Sequence, residues 1–101
     1  MSAQRYERME EILSTIDILT SDGATTTVKD LYEFIKNSQE TFDDPDITIN
    51  IIDSAIRHYR KSGLVRRKHN PYIKPFQYKL SKKGIEKLEW LENEEYLNYV
   101  K

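Results

Sequence analysis

The chain has 101 residues, of which 38% are hydrophobic and 33% charged, with three Gly, three Pro and no Cys. This length suits one unit, and we expect residues 1–101 to form a single domain. The composition is too apolar for a disordered chain and too charged for a membrane span. The lack of Cys excludes disulfide scaffolds, thiolate metal sites and cysteine nucleophiles. Because the N-terminus has no apolar signal-peptide stretch, we expect a cytoplasmic protein without a membrane partner.

The net charge of −1 is the sum of an acidic first segment, a basic central segment and an acidic last segment. Residues 1–53 carry four basic and twelve acidic side chains (−8), residues 54–85 carry ten basic and no acidic ones (+10), and residues 86–101 carry two basic and five acidic ones (−3). Surfaces that only need to be soluble normally mix both signs. Apolar residues alternate with the cations of the central segment, so this segment is predicted to be folded, basic and outward-facing.

Two helices are predicted in the acidic first half. Apolar residues recur at helical spacing over residues 3–20, and the Ser-Asp-Gly sequence at 21–23 ends that helix. Residues 24–26 are too short for more than a β-bridge. Residues 27–38 open with a capping box and form a second, short helix. The acidic segment 39–46 is predicted to be a solvated loop, because it lacks the spacing and the Gly of a calcium loop.

The third predicted helix has one apolar side and one polar, basic side. Thr48 is its N-cap, and Ser62 and Gly63 end it. At about 100° per residue, the side predicted to face the core carries Ile49, Ile52, Ile56 and Tyr59. The opposite side carries Asn50, Ser54, Arg57 and Lys61.

After Gly63 the apolar period changes from 3.6 to 2. Residues 64–68 and 76–80 are predicted to be the strands of a hairpin, joined by a basic loop at 69–75. Ser81 caps a last helix over about residues 82–100, with Ile85, Leu88 and Leu91 on its apolar side. Because an isolated two-stranded hairpin is only marginally stable, we expect helices to pack against it.

Two motifs in the second half carry a family resemblance: Ile52-x-x-x-Ile56-x-x-Tyr59-x-x-x-Gly63-Leu64-Val65-Arg66-Arg67 and Tyr78-x-Leu80-Ser81-x-Lys83-Gly84-x-x-x-Leu88. With the order helix, short strand, helix, helix, hairpin, helix, the chain resembles a winged helix-turn-helix domain of the PadR- and MarR-like regulators, and also small archaeal, plasmid and viral DNA-binding proteins. This resemblance implies a mainly α fold with a small β-hairpin (α+β). It also implies DNA binding as a homodimer that pairs through its terminal helices.

The third helix is the candidate recognition helix, because small hydrogen-bonding residues precede cations along its polar side. Asn can bind adenine through two hydrogen bonds and Arg can bind guanine in the same way. Asp53 is expected to orient Arg57 four residues later. The candidate DNA-contacting residues of this helix are Thr48, Asn50, Ser54, Arg57 and Lys61.

The hairpin is the candidate wing, with backbone or minor-groove contacts expected from its tip and Lys74 as the main contact. Alternation along the strands predicts that about half of its cations point away from the core. Cations at the start of the last helix oppose the helix dipole, and a bound phosphate would relieve that cost. The candidate wing and backbone contacts are Arg66, Arg67, Lys68, His69, Lys74, Lys79, Lys82 and Lys83.

The first and last helices have more apolar surface than one small core needs, which predicts a homodimer. A two-fold dimer would place its recognition helices about 34 Å apart, on half-sites roughly 10 base pairs apart. The predicted dimer interface comprises Met9, Ile12, Ile16, Trp90, Leu91, Tyr96 and Leu97.

No enzyme, metal site or cofactor is predicted, because His58 and His69 have no partner at ligand spacing and no Gly-rich phosphate loop is present. The expected function is sequence-specific double-stranded DNA binding by a nucleoid-associated transcriptional regulator. One alternative is an architectural or plasmid-partition protein that spreads along DNA and binds partners through its acidic surface. Another is a protein-interaction domain whose basic strip binds an acidic protein.

Overall fold

A computed structural model describes residues 3–38, 47–68 and 74–93, with side chains from residue 6 onward. Within these residues, four helices accompany one two-stranded antiparallel sheet. The α+β class is therefore confirmed. The elements in chain order are α1 (Ala3–Thr20), α2 (Val28–Asn37), α3 (Ile49–Lys61), β1 (Val65–Arg67), β2 (Tyr78–Leu80) and α4 (Lys82–Glu92).

Three helices begin at the caps that the sequence predicts. Each cap has an extended backbone, and its hydroxyl oxygen accepts a hydrogen bond from the backbone N–H three residues later, as in Thr27 (3.1 Å), Thr48 (3.2 Å) and Ser81 (3.0 Å). These bonds satisfy backbone donors that the first helical turn leaves unpaired. The starts of α2, α3 and α4 are thus set by local sequence.

The end of α3 is set by Gly63, whose φ of +80° lies in the left-handed region. The N–H of Gly63 donates to the carbonyl of Arg60 (3.0 Å), and the N–H of Leu64 donates to the carbonyl of Tyr59 (2.8 Å). This pair of bonds is a Schellman motif, which satisfies the last carbonyls of a helix and turns the chain. It leads the chain from α3 directly into the hairpin.

A single cluster of buried apolar side chains connects all six elements. Helix α1 lies at its centre and packs against α2, α4 and β2. Leu31 and Ile35 enter the cluster from α2, and Ile52 and Ile56 enter it from α3. The core therefore holds α3 and the hairpin side by side, which decides what their exposed faces can contact.

Three residues of the predicted dimer interface belong to this core. Ile12, Ile16 and Leu91 have no accessible surface in the single chain, so their assignment to an exposed interface was wrong. Their periodicity marks the apolar sides of α1 and α4 correctly, but those sides are covered by the chain itself. Met9 and Trp90 are partly buried and pack at the margin of the core.

Two residues predicted to face the core are exposed instead. Ile49 retains 43% of its surface and Ile85 retains 45%. Ile49 is the first residue of α3 and Ile85 is the fourth residue of α4, and each lies at the edge of the apolar side of its helix. Helical spacing shows which way the apolar side of a helix faces. How many residues of that side become covered depends on how the neighbouring elements pack.

The sheet is shorter than the predicted hairpin. Val65 pairs with Leu80, Arg66 with Lys79 and Arg67 with Tyr78, so each strand has three residues. Residues 24–26 contribute an isolated bridge, as their length predicts. The N–H of Thr26 donates to the carbonyl of Tyr78 (2.9 Å), and the N–H of Tyr78 donates to the carbonyl of Thr26 (2.7 Å).

Helix α4 approaches Leu64, the residue before β1, so closely that only Gly fits at position 84. A Cβ atom on Gly84 would overlap the carbonyl oxygen of Leu64 and lie 3.0 Å from its carbonyl carbon. The Ser81 hydroxyl also donates a hydrogen bond to the carbonyl of Gly63. The start of α4 is therefore bound tightly to the segment that links α3 and β1.

Several predictions concern residues outside the described ranges: the acidic loop at 39–46, the hairpin tip at 69–73, His69, and the last helix beyond residue 93, with Tyr96 and Leu97. Among the described helices, none has the length and apolar character needed to cross a membrane.

Candidate functional site

The outer face of α3 is exposed and polar, as the helical spacing predicts. Asn50, Ser54, Arg57 and Lys61 all lie on the surface. Thr48 is also exposed, and its oxygen already accepts the capping bond from Ile51. The predicted recognition residues therefore share one accessible surface.

A second row of α3 side chains faces the hairpin. Asp53, Arg57 and Arg60 recur at i, i+4 and i+7, which places them along one side of the helix. Together with Lys61, they form one wall of a cleft of about 470 Å³ whose other wall is Arg67, Phe76 and Tyr78 of the hairpin segment. Arg60, Phe76 and Tyr78 were missing from the predicted site. The i, i+4, i+7 spacing of charged residues is the signal that would have found Arg60.

A smaller cleft of about 250 Å³ continues this surface towards the start of α2. Its lining includes Lys29 from α2 and Lys74 from the hairpin segment, and it shares three residues with the first cleft: Asp53, Phe76 and Tyr78. We call the two clefts together the basic groove. Among the described residues, six cations and one carboxylate line it: Lys29, Arg57, Arg60, Lys61, Arg67 and Lys74, with Asp53.

Phe76 anchors the cations of the hairpin wall. The Arg67 guanidinium carbon lies 4.4 Å from the centre of its ring, and the Lys74 ammonium lies 5.8 Å from it. Cations at such distances are attracted by the ring electrons. The ring thus holds two charges beside the groove while their hydrogen-bond donors stay available.

The hairpin divides its cations between two faces. Arg67 points with Tyr78 towards α3, whereas Arg66 is directly opposite Lys79 on the outer face, where both are exposed. Like charges directly opposite each other on a sheet are destabilising. A bound anion on the outer face would offset this repulsion. The prediction that strand alternation turns part of these cations away from Arg67 is confirmed for Lys79.

Lys82 and Lys83 lie exposed in the first turn of α4, where no acidic residue offsets the positive end of the helix dipole. The Lys83 side chain passes beside Gly63, since its Cδ would lie 3.7 Å from a Cβ built there. Lys83 thus neighbours the end of α3, and neither lysine is among the residues that line the groove.

Arg57 and Asp53 form an ion pair along α3. Arg57 Nη2 lies 2.9 Å from Asp53 Oδ2, and the two side chains are 72% and 39% exposed. The predicted orientation of Arg57 by Asp53 is therefore confirmed as a contact. Since the pair uses one nitrogen of a guanidinium that has five N–H donors and a largely exposed side chain, donors remain for another partner.

The surface where α1 meets α4 has a different chemistry. The Lys87 ammonium lies 3.8 Å from the centre of the Trp90 ring, and the Tyr6 ring meets Trp90 edge to face at 5.6 Å. Burial lowers the pKa of Lys87 from its ordinary value. This aromatic cluster is the exposed margin of the α1–α4 contact.

The described side chains do not bring three His, Cys, Asp or Glu residues together in a way that could hold a metal ion. Comparison of the chain with protein-family models, curated proteins and solved structures gave no match. The chemistry of the groove itself is therefore the basis for a functional assignment. Guanidinium and ammonium groups beside an exposed polar helix are suited to phosphate and to base edges.

Proposed function

We propose that this chain is a winged-helix protein that binds double-stranded DNA in a sequence-specific manner, as a homodimer that acts as a transcriptional regulator. The observation that carries the proposal is the basic groove, which lies directly beside the exposed polar face of α3. Phosphates would contact the groove and the hairpin, and base edges would contact α3.

The division of roles follows from the chemistry of each surface. Asn50 and Arg57 stand on the outer face of α3 and have the paired donors and acceptors that read adenine and guanine. Arg60, Arg67 and Lys74 line the groove between α3 and the hairpin segment, and we assign them to phosphate contacts. Affinity should therefore come mainly from the groove and discrimination mainly from α3.

A titration of labelled duplex DNA over a range of salt concentrations tests the proposal. With about six phosphates neutralised, log K should fall against log salt with a slope near −5. Arg60→Ala combined with Arg67→Ala should make the slope shallower by about two, since each cation lost releases about one counterion fewer. Lys36→Ala, which removes a cation of α2 outside the groove, is the matched control and should leave the slope unchanged.

Two results would contradict duplex binding. The first is binding that is absent or independent of salt, and the second is equal affinity for a duplex and for a single strand of the same sequence. Footprint length separates a regulator from a protein that spreads along DNA. A discrete two-fold site supports the proposal, whereas a footprint that lengthens with protein concentration supports an architectural or partition role.

A further inference from the structure

Asp53 occupies an unexpected place in the basic groove. It lines both clefts, and it is the only acidic residue among the described residues that line them. A carboxylate in the middle of a phosphate-binding surface weakens phosphate binding by repulsion. Its presence therefore needs a reason other than affinity.

The ion pair with Arg57 does not supply that reason through stability. Both side chains are substantially exposed, at 72% for Arg57 and 39% for Asp53. Ion pairs of this kind on a helix surface contribute little to folding because water screens them and because two long side chains lose freedom. The pair must matter for what Arg57 does at the surface.

The effect of the pair on Arg57 differs between its two possible targets. A phosphate carries a full negative charge, so the carboxylate 2.9 Å from the guanidinium repels a phosphate at that guanidinium. The major-groove edge of guanine is neutral and presents two acceptors, so the same carboxylate repels it far less. The contact also restrains the position of the guanidinium, which lowers the entropy lost when its free N–H groups bind a base edge.

We infer that Asp53 is a specificity-determining residue, which prevents Arg57 from binding phosphate and reserves it for a base edge. This inference rests on the proposed function. Asp53 itself acts as a positioning residue, because it works through Arg57. Removing its charge should raise affinity for any duplex and lower the preference for the cognate one.

The wild-type protein is first used to select duplexes from a random pool, and the selected sequence serves as the cognate site. Affinities of the wild type and of Asp53→Asn are then measured on that site and on a random duplex at several salt concentrations. For Asp53→Asn on random DNA, we expect tighter binding and a salt slope steeper by about 0.9, as for one additional phosphate contact. The ratio of cognate to random affinity should fall by about fivefold or more.

Three further variants isolate the mechanism. Asp53→Glu keeps the carboxylate and should retain the wild-type salt slope. Asp53→Asn combined with Arg57→Ala should show no steeper slope than Arg57→Ala alone, because no guanidinium is released. Asp17→Asn removes an acid of the same type from α1, outside the groove, and should leave the cognate-to-random ratio unchanged.

The outcomes separate this inference from the proposed function. If the wild type binds no duplex, both fall together. If the wild type binds and Asp53→Asn shifts cognate and random affinity by the same factor, only the inference fails. It also fails if Asp53→Asn weakens binding only when one particular cytosine is present in the site and leaves the salt slope unchanged. Asp53 would then contact that base directly.

Discussion

At the scale of single residues, Arg57 and Lys74 carry the same charge but different expected roles. Arg57 lies on the outer side of α3 and is oriented by Asp53, whereas Lys74 lies beside Phe76 on the hairpin wall. Arg57→Ala should weaken a cognate duplex by about 1–3 kcal/mol and a random duplex much less. Lys74→Ala should weaken both alike. Anisotropy titrations check this, and the opposite pattern would mean that the helix and the hairpin exchange roles.

Gly84 and Gly63 offer a second test at this scale, since Gly is needed at the two positions for different reasons. Gly84→Ala places a Cβ against the backbone of Leu64, which cannot move aside as a side chain can, so we expect a loss of about 1–3 kcal/mol or more in the free energy of unfolding. Gly63→Ala meets only the Lys83 side chain at 3.7 Å, and its cost should be about 1–2 kcal/mol from the left-handed backbone. Urea denaturation followed by circular dichroism compares the two, and a Gly84→Ala protein as stable as the wild type would contradict the close approach.

Residue-level prediction from sequence succeeded where the cause is local. The caps Thr27, Thr48 and Ser81 act on backbone three residues away, so their roles can be read from the chain. The exposure of Ile49 and the burial of Ile12 depend on which elements pack nearby, and no local pattern contains that information.

At the scale of elements, α1 and α4 meet at the cluster of Lys87, Trp90 and Tyr6. Attraction to the Trp90 ring at 3.8 Å favours the Lys87 charge, while the burial that lowers the pKa of Lys87 opposes it. The charge itself should therefore contribute little, and the aliphatic stem should contribute more.

Two substitutions of Lys87 distinguish the contribution of its aliphatic stem to stability from the contribution of its charge. Lys87→Ala loses both and should lower the free energy of unfolding by about 0.5–1 kcal/mol, mainly through the lost packing of the stem. Lys87→Met keeps a long stem and should stay closer to the wild type. Since the chain has one Trp, its fluorescence during urea unfolding reports on this contact directly. Equal losses for the two variants would indicate that the charge dominates.

The basic groove depends on how α3 and the hairpin pack together, which the prediction of separate elements does not provide. The sequence indicates a helix with a basic side and a hairpin with cations, and both are present. That the two face each other across a cleft follows from the Schellman turn at Gly63 and from their shared contacts with the core. The spacing places Arg60 on one side of α3 with Asp53 and Arg57, but the packing decides that this side faces the hairpin.

At the scale of the whole molecule, we expect two copies to associate through α1 and α4. Ile12, Ile16 and Leu91 are buried within one chain, so the described residues leave Met9 and Trp90 as the predicted contacts with accessible surface. Sedimentation should give a species of twice the 12.0 kDa chain mass at micromolar concentration. Trp90→Ala should shift the equilibrium towards the monomer, with the exposed Ile49→Ala on α3 as the control. A monomer at that concentration in the wild type would refute the dimer.

The edges of the sheet determine whether another copy of the protein can add a strand to it. At Tyr78, β2 has a neighbour on both sides, because Tyr78 is in register with Arg67 of β1 and is hydrogen-bonded to Thr26 of the bridge, so no further strand can add there. The remaining edge belongs to β1, which is three residues long and ends in two arginines. Short, charged edges resist strand addition by another molecule. The cations suited to phosphate therefore also protect the hairpin from aggregation.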